Sequence, residues 1–63
     1  MCLAKAYAEG KGEPELLAED VALMEIEGGQ VRLSTLFGET KEIEGVLKRI
    51  DFEGSAIYLE RAD

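Results

Sequence analysis

The sequence predicts an all-β protein in which about five short strands form one small, strongly bent sheet or barrel. Three observations predict this class. The chain has 63 residues, which is enough for one small domain over residues 1–63. Its apolar runs are short and are separated by turn signals that contain most of its glycines. One further glycine falls where the apolar pattern of the longest run changes phase, as it does at a β-bulge or a sharp bend.

The first predicted strand covers residues 2–8 and alternates weakly, so that neither of its faces is strongly apolar. One face carries Cys2, Ala4, Ala6 and Ala8, and the other carries Leu3, Lys5 and Tyr7. Residues 9–14 follow with two glycines and the only proline of the chain, a composition typical of an exposed loop.

Residues 16–26 form the ambiguous segment of the chain. Leu17, Val21 and Met24 have helical spacing, whereas Ala22, Met24 and Ile26 alternate as a strand does. The turn that follows favours a strand, because a Gly-Gly pair between apolar runs is typical of a β-hairpin. We therefore predict that this segment pairs with a third strand over residues 31–34.

The fourth strand is predicted over residues 41–52, after a turn at residues 36–39 that Gly38 makes possible. Its apolar residues change face: Ile43 lies on the odd face, while Val46, Ile50 and Phe52 lie on the even one. Gly45 stands between the two sets. We interpret Gly45 as the site of a β-bulge or bend that lets one long strand contribute to both sides of a small barrel.

A turn at residues 53–54 leads to the final strand, where Ile57 and Leu59 share a face. The aromatic residues are expected to be core or strand-pair residues and not a platform on which nucleic-acid bases stack. They are Tyr7, Phe37, Phe52 and Tyr58.

Composition and charge exclude several classes of protein. Fourteen acidic residues against seven basic ones give a formal net charge of −7, and the basic residues are dispersed, so nucleic acid is not expected as a partner. No apolar run approaches the roughly 18 residues that span a bilayer, and no signal peptide is recognisable, so no membrane association is expected. The predicted location is cytoplasmic, where a lone thiol stays reduced.

The residues needed for the common kinds of catalysis are missing. The chain has no histidine, so neither a serine triad nor a Cys-His pair can be assembled. No phosphate-binding glycine motif is present. Neighbouring carboxylates such as Glu19 with Asp20, and Glu42 with Glu44, are expected in so acidic a chain and are interpreted as solvated. The sequence predicts that the protein is not an enzyme.

Cys2 is the one residue with a distinctive chemistry, because it is the only cysteine of the chain. A thiolate is a strong ligand for soft metal ions, and a small fold often gains stability from a metal or a second subunit. Free cysteine also occurs simply as a small buried apolar residue. From this residue alone the metal-ligand and structural interpretations carry equal weight.

Several short pieces occur in a definite order along the chain: Met1-Cys2-Leu3-Ala4, Glu19-Asp20-Val21, Met24-Glu25-Ile26-Glu27-Gly28, Val31-Arg32-Leu33, Leu36-Phe37-Gly38-Glu39 and Ile57-Tyr58-Leu59-Glu60. Together they resemble the CooT family of small nickel-binding proteins over nearly the full length. The cysteine directly after the first methionine is the most diagnostic feature. The resemblance implies a homodimer with an SH3-like β-barrel fold that binds Ni(II) through Cys2, and it assigns a role to no other residue.

Nickel chemistry is consistent with such a dimer. Divalent nickel favours square-planar or tetragonal surroundings, and one chain offers only one sulfur with nearby backbone nitrogens. A two-fold axis close to the chain starts would bring two Cys2 thiolates together. The nitrogen donor is an α-amine if Met1 is removed; if Met1 stays, the second donor is a deprotonated amide or a residue elsewhere in the chain. In both cases binding weakens on acidification, because the donors must lose protons.

The predicted function is therefore that of a nickel metallochaperone or nickel reservoir for the maturation of a nickel enzyme such as carbon monoxide dehydrogenase. Its partners would be a second copy and the client enzyme or its assembly factors. The alternative is a small protein-interaction module in which Cys2 is incidental; RNA binding is a weaker third possibility. Zinc is disfavoured, because structural zinc sites draw on four cysteine or histidine ligands.

Overall fold

The computed structural model describes residues 3–10 and 12–61, which contain five β-strands and no helix. The strands are β1 (Ala4–Glu9), β2 (Glu15–Glu27), β3 (Gln30–Thr35), β4 (Thr40–Asp51) and β5 (Ala56–Arg61). They confirm the all-β class and the five predicted strands, including the strand assigned to the ambiguous second segment. A homodimer stays a prediction.

The five strands close into a ring in the order β1-β2-β3-β4-β5. The strands that are consecutive in the chain pair antiparallel, as tight turns allow. The ring closes where β5 pairs with β1, and this pairing is parallel, with Lys5 opposite Ala56 and Glu9 opposite Glu60. Closure leaves neither the first nor the last strand as a free sheet edge.

The core fills the interior of this ring with small and branched aliphatic side chains. Leu33, Leu59 and Val31 are the largest side chains that are fully buried. Ala6 and Ala8 point inward from β1, so the alanine face of the first strand is the core face. Alanine suits this position because the interior of a five-stranded ring is narrow. No polar or charged side chain is buried among the described residues.

The long strand β2 serves two neighbours by bending at its middle. Its first half pairs with β1 and its second half pairs with β3, and Val21 has a partner in each. At the bend Asp20 has a positive φ of 57°, a conformation that aspartate tolerates better than most residues. The Asp20 carbonyl accepts a hydrogen bond of 2.9 Å from the Leu36 N–H, which ties the bend to the turn after β3.

The predicted bulge does not lie at Gly45, but Gly45 does mark the point where the long strand β4 changes partner, since β4 pairs with β3 through Glu44 and with β5 from Gly45 onward. The register of β4 is regular at Gly45, which pairs with Arg61, and the irregularity lies between Leu47 and Arg49. Gly45 is needed for a different reason: a Cβ at this position would overlap the Glu60 carbonyl oxygen and lie 3.1 Å from the Cα of Arg61. The missing side chain lets β5 cross close to β4.

The shifted irregularity changes which β4 residues face the core. Ile43 is buried and Leu47 is packed against the core, so the odd face points inward past Gly45. Beyond the irregularity the phase changes, and Ile50 pairs with the buried Ile57. Val46 is exposed because it lies on the outer face before the phase change.

Residues 3–10 and 12–61 include no helix that could span a membrane.

Candidate functional site

The predicted metal ligand, Cys2, lies outside the described residues. The structure does describe the end of the molecule to which Cys2 is attached, because β1 begins two residues later at Ala4. Two extended residues span at most about 7 Å, so the surroundings of Ala4 delimit the region that Cys2 can reach. We call this region the N-terminal end of the ring.

The start of β1 is held on both sides. Ala4 pairs with Val21 of β2, and Lys5 lies opposite Ala56 of β5. The Lys5 N–H donates a hydrogen bond of 3.0 Å to the Ser55 carbonyl, which extends the contact into the turn before β5. The start of β1 is therefore anchored to both of its neighbouring strands.

A cleft of about 220 Å³ opens beside this anchored strand start. We call it the N-terminal cleft. Its lining is mostly aliphatic and aromatic, and it is formed by residues from the start of β1, the end of β4, the following turn and the start of β5. The lining residues are Ala4, Ile50, Asp51, Phe52, Ser55, Ala56 and Ile57.

The turn between β4 and β5 shapes one side of this cleft. The Asp51 Oδ1 accepts hydrogen bonds from the N–H groups of Glu53, at 3.1 Å, and Gly54, at 3.0 Å. Such side-chain capping fixes a tight turn. Phe52 projects from the turn with 85% of its surface exposed. The sequence does contain a signal for this feature, an aromatic residue inside a polar turn, but the prediction of a core or strand-pair role for Phe52 is wrong.

Phe37 is also exposed, in the turn between β3 and β4, so its predicted core or strand-pair role is wrong as well. The two tyrosines do form a strand pair. Tyr7 of β1 and Tyr58 of β5 lie opposite each other, and their rings stack with centroids 5.5 Å apart. The guanidinium of Arg49 lies 4.0 Å from the centre of the Tyr58 ring. These residues cover the outside of the β1–β5 pairing.

The carboxylates of the described residues do not gather into a second candidate metal site. Glu42, one of the predicted solvated residues, accepts a 3.0 Å ion-pair contact from Arg32, which also lies 3.6 Å from Glu25. All three side chains are more than half exposed. In the part of the chain that the structure describes, no group of three or more acidic or cysteine side chains is arranged to hold a metal ion.

The arginines lie beside acidic residues, not in a basic patch. Arg49 contacts Glu9 at 2.8 Å, and Arg61 contacts Glu15 at 3.4 Å. The Arg61–Glu15 pair is exposed on both sides and contributes little to stability, whereas the Glu9 side chain is only 22% exposed. Each pair places a negative charge beside an arginine that a phosphate backbone would need.

Comparison with known proteins connects this structure to one family. A family model described as CooT, CO dehydrogenase accessory protein CooT, matches residues 1–60. The matched range includes Cys2 and all of the ring except its last residue.

Two archaeal relatives and one solved structure cover nearly the whole chain. An uncharacterized protein of Methanocaldococcus jannaschii is 38% identical over 60 residues, which are 95% of this chain and 98% of the relative. An uncharacterized protein of Methanothermobacter thermautotrophicus is 36% identical over 63 residues, which are 100% of this chain and 94% of the relative. The crystal structure of a CooT from Carboxydothermus hydrogenoformans superposes with a TM-score of 0.90 at 31% identity, covering 98% of this chain and 100% of that one.

Proposed function

This chain belongs to the CooT family of CO dehydrogenase accessory proteins, and on that premise we propose that it binds Ni(II) through Cys2 as a metallochaperone or nickel reservoir. Its client would be a nickel enzyme under assembly, such as carbon monoxide dehydrogenase. The match of the family model, which begins before Cys2 and runs through residue 60, is the observation that carries the proposal.

Ligand chemistry supports Cys2 as the nickel ligand. It is the only cysteine in a chain without histidine, so this chain has a single strong soft ligand. One thiolate does not make a closed nickel site, and we propose that two copies form a homodimer in which both Cys2 thiolates bind one ion. Nitrogen donors near each Cys2 would complete four ligands. A shared site also suits transfer, because a client that separates the copies removes half of the ligands.

The proposed role is one of delivery and not of catalysis. A lone thiol of this kind persists in the reducing cytoplasm, which is where we place the protein. The paired arginines and the net charge of −7 favour a protein client over nucleic acid.

The test is a nickel titration of the untagged protein, followed by absorption and circular dichroism, with Cys2→Ser as the matched variant. We expect a thiolate-to-nickel charge-transfer band that saturates at one nickel per two chains and is absent from Cys2→Ser. Native mass spectrometry counts the metal ions. Binding should weaken on acidification, because protons compete for the thiolate and nitrogen donors.

Equal, weak and salt-sensitive binding by both proteins would contradict the proposal. It would favour the interaction-module alternative, in which Cys2 has no metal role and the exposed surface of the ring contacts a protein. Saturation at one nickel per chain in a protein that stays monomeric would leave Cys2 as a ligand but would reject the shared site.

A further inference from the structure

We propose that a groove beside Phe37 is the docking surface for an arginine-bearing segment of another protein. The groove has a volume of about 630 Å³ and lies between the first half of β2 and the turn that joins β3 to β4. We call it the Phe37 groove, and its lining residues are Leu17, Ala18, Glu19, Asp20, Thr35, Phe37, Glu39, Thr40 and Lys41. The inference goes beyond the proposed function, since it stands whether or not Cys2 binds nickel.

The Phe37 groove brings together two sequence pieces that the nickel proposal leaves without a role. Residues 19–21 lie at the bend of β2, and residues 36–39 form the turn between β3 and β4. The Leu36 N–H donates a hydrogen bond of 2.9 Å to the Asp20 carbonyl, which joins the bend to the turn. The two walls of the groove are therefore held at a fixed separation.

The turn displays Phe37 outside the core. The Thr35 Oγ1 accepts hydrogen bonds from the N–H groups of Phe37, at 3.3 Å, and Glu39, at 3.2 Å. The Gly38 N–H donates a further one, of 3.1 Å, to the Thr35 carbonyl. Phe37 is left 74% exposed on this fixed turn. A side chain presented in this way loses little freedom on association, and exposed aromatic residues often contribute most of the binding energy of an interface.

The charge of the groove is negative. Glu19, Asp20 and Glu39 line it, and none of the three forms an ion pair with another residue that the structure describes. Lys41 is the one basic residue of the lining, and its Nζ donates a 3.2 Å hydrogen bond to the Leu17 carbonyl. Three carboxylates against one ammonium favour a cationic occupant.

An arginine side chain matches both features of the groove. Its planar guanidinium stacks on an aromatic ring and also donates hydrogen bonds to carboxylates. The Phe37 groove offers an exposed ring and three carboxylates on one surface. A phosphate backbone would be repelled by the same carboxylates, so the charge favours a protein segment over nucleic acid.

A second copy of this chain is a poor occupant. Two chains that each carry −7 repel each other, and the repulsion is strongest between acidic surfaces. The arginines that a second copy could offer, at positions 32, 49 and 61, already contact carboxylates of their own chain. The partner is therefore a different protein, with an arginine on an accessible segment.

The test is a peptide titration of the isotopically labelled protein, without metal, followed by two-dimensional NMR of the backbone amides. The probe is a blocked pentapeptide of glycine, arginine, leucine, arginine and glycine. Its control carries citrulline, which is neutral and nearly the same shape, in place of both arginines. We expect the arginine peptide to shift the signals of residues 17–20 and 35–41, and the citrulline peptide to bind at least about tenfold more weakly.

Phe37→Ser tests the aromatic contact, and Phe52→Ser is its matched control, because both replace an exposed phenylalanine in a turn. We expect the dissociation constant of the arginine peptide to rise at least about tenfold in Phe37→Ser and to stay unchanged in Phe52→Ser. Circular dichroism verifies that both variants are folded.

Two double variants of equal charge test the carboxylates. Glu19→Gln with Glu39→Gln removes two charges from the groove, whereas Glu13→Gln with Glu44→Gln removes two exposed charges outside it. Both change the net charge from −7 to −5. We expect the first pair to weaken peptide binding at least about fivefold more than the second, because only nearby charges act strongly in salt.

Unchanged amide signals at residues 17–20 and 35–41 would overturn the inference. Equal binding of the arginine and citrulline peptides would do so too, as would wild-type affinity in Phe37→Ser. Equal effects of the two glutamine pairs would reduce the interaction to diffuse attraction by an acidic surface and would also reject the groove. Failure of the nickel proposal is seen separately, since Cys2→Ser should bind the arginine peptide as wild type does, whatever the nickel titration gives.

Discussion

At the scale of single residues, Gly45 shows how one absent side chain permits the ring to close tightly. The β5 backbone at Glu60 and Arg61 occupies the space where a Cβ of residue 45 would lie. The Gly45 N–H also donates a 3.0 Å hydrogen bond to the Gly29 carbonyl, which joins β4 to the turn between β2 and β3. The β5 backbone cannot move away from Gly45 without disturbing its pairing with β4.

We therefore predict that Gly45→Ala lowers the free energy of unfolding by about 1–3 kcal/mol, the usual cost of inserting an atom into filled space. The matched control is Gly10→Ala, because nothing lies within 4 Å of a Cβ at Gly10. Urea denaturation followed by circular dichroism measures both. Equal stabilities for the two variants would show that β5 can shift away from β4 at little cost.

The sequence identified Gly45 as special without showing why. A change of apolar phase and a glycine nearby are typical of a bulge, but close approach of a neighbouring strand requires the same residue type. Only the pairing of Gly45 with Arg61 distinguishes the two. For Phe52 the sequence predicted a core or strand-pair role that the structure does not show. Hydrophobicity alone does not indicate that a turn will hold the phenyl group outside the core.

At the scale of strands, the parallel pairing of β1 with β5 carries a stacked pair of tyrosines on its outer face. Tyr7 and Tyr58 lie directly opposite each other, half-buried, with their ring planes inclined by 18°. Arg49 covers Tyr58 and reaches Glu9 on β1, so three strands are joined on this outer face.

We predict that Tyr7→Leu and Tyr58→Leu each destabilise the ring, and that a double-mutant cycle gives a favourable coupling of about 0.5–1.5 kcal/mol between the tyrosines. The coupling arises because the stacked rings lie opposite each other across the closing strand pair. Chemical denaturation of the four proteins supplies the cycle. A Tyr7→Leu change combined with Phe37→Leu is the control, with an expected coupling near zero, and additivity in the tyrosine cycle would contradict the prediction.

The bend in β2 explains why its sequence also matched a helix. Leu17 and Val21 are buried and Met24 packs against the core, although they are four and three residues apart. A flat strand would place two of these on opposite faces. The register of β2 shifts on either side of Val21. These shifts add residues to β2 and so bring Leu17, Val21 and Met24 to the same, inward face. In the sequence, a bend of this kind changes the spacing of the apolar residues, so that the strand shows the spacing of a helix.

At the scale of the whole molecule, repulsion between the excess carboxylates destabilises the folded state. A net charge of −7 on a ring that also keeps its arginines beside acidic residues leaves many carboxylates near one another. Salt shortens the distance over which they repel, from about 30 Å at 0.01 M to about 8 Å at 0.15 M.

We predict that the midpoint of thermal unfolding rises by a few degrees over that range of sodium chloride, since screening the repulsion outweighs the loss from exposed ion pairs. Circular dichroism measures the midpoint at fixed protein concentration. A variant with Glu13→Lys and Glu44→Lys, which reduces the charge from −7 to −3, should show a smaller rise. A midpoint that falls with salt would indicate that the ion pairs matter more.

At this scale the sequence predicted the class of fold, the number of strands and the family, since turn signals and strand lengths are local properties. It did not predict the N-terminal cleft, because residues from β1, β4 and β5 meet there only after the ring closes. Because the cleft forms only when the ring of strands closes, its residues share no regular spacing or motif along the chain. Cys2, in contrast, is a property of the sequence alone.

The parallel pairing of the first and last strands also sets an order of events during synthesis. β1 is translated first, but the strand that completes its pairing begins at Ala56. At about 5–20 residues per second the ribosome needs roughly 3–10 seconds to make the intervening chain. Until β5 leaves the exit tunnel, β1 has an unpaired side and the N-terminal cleft does not yet exist. The N-terminal cleft therefore forms only once β5 is available to pair with β1.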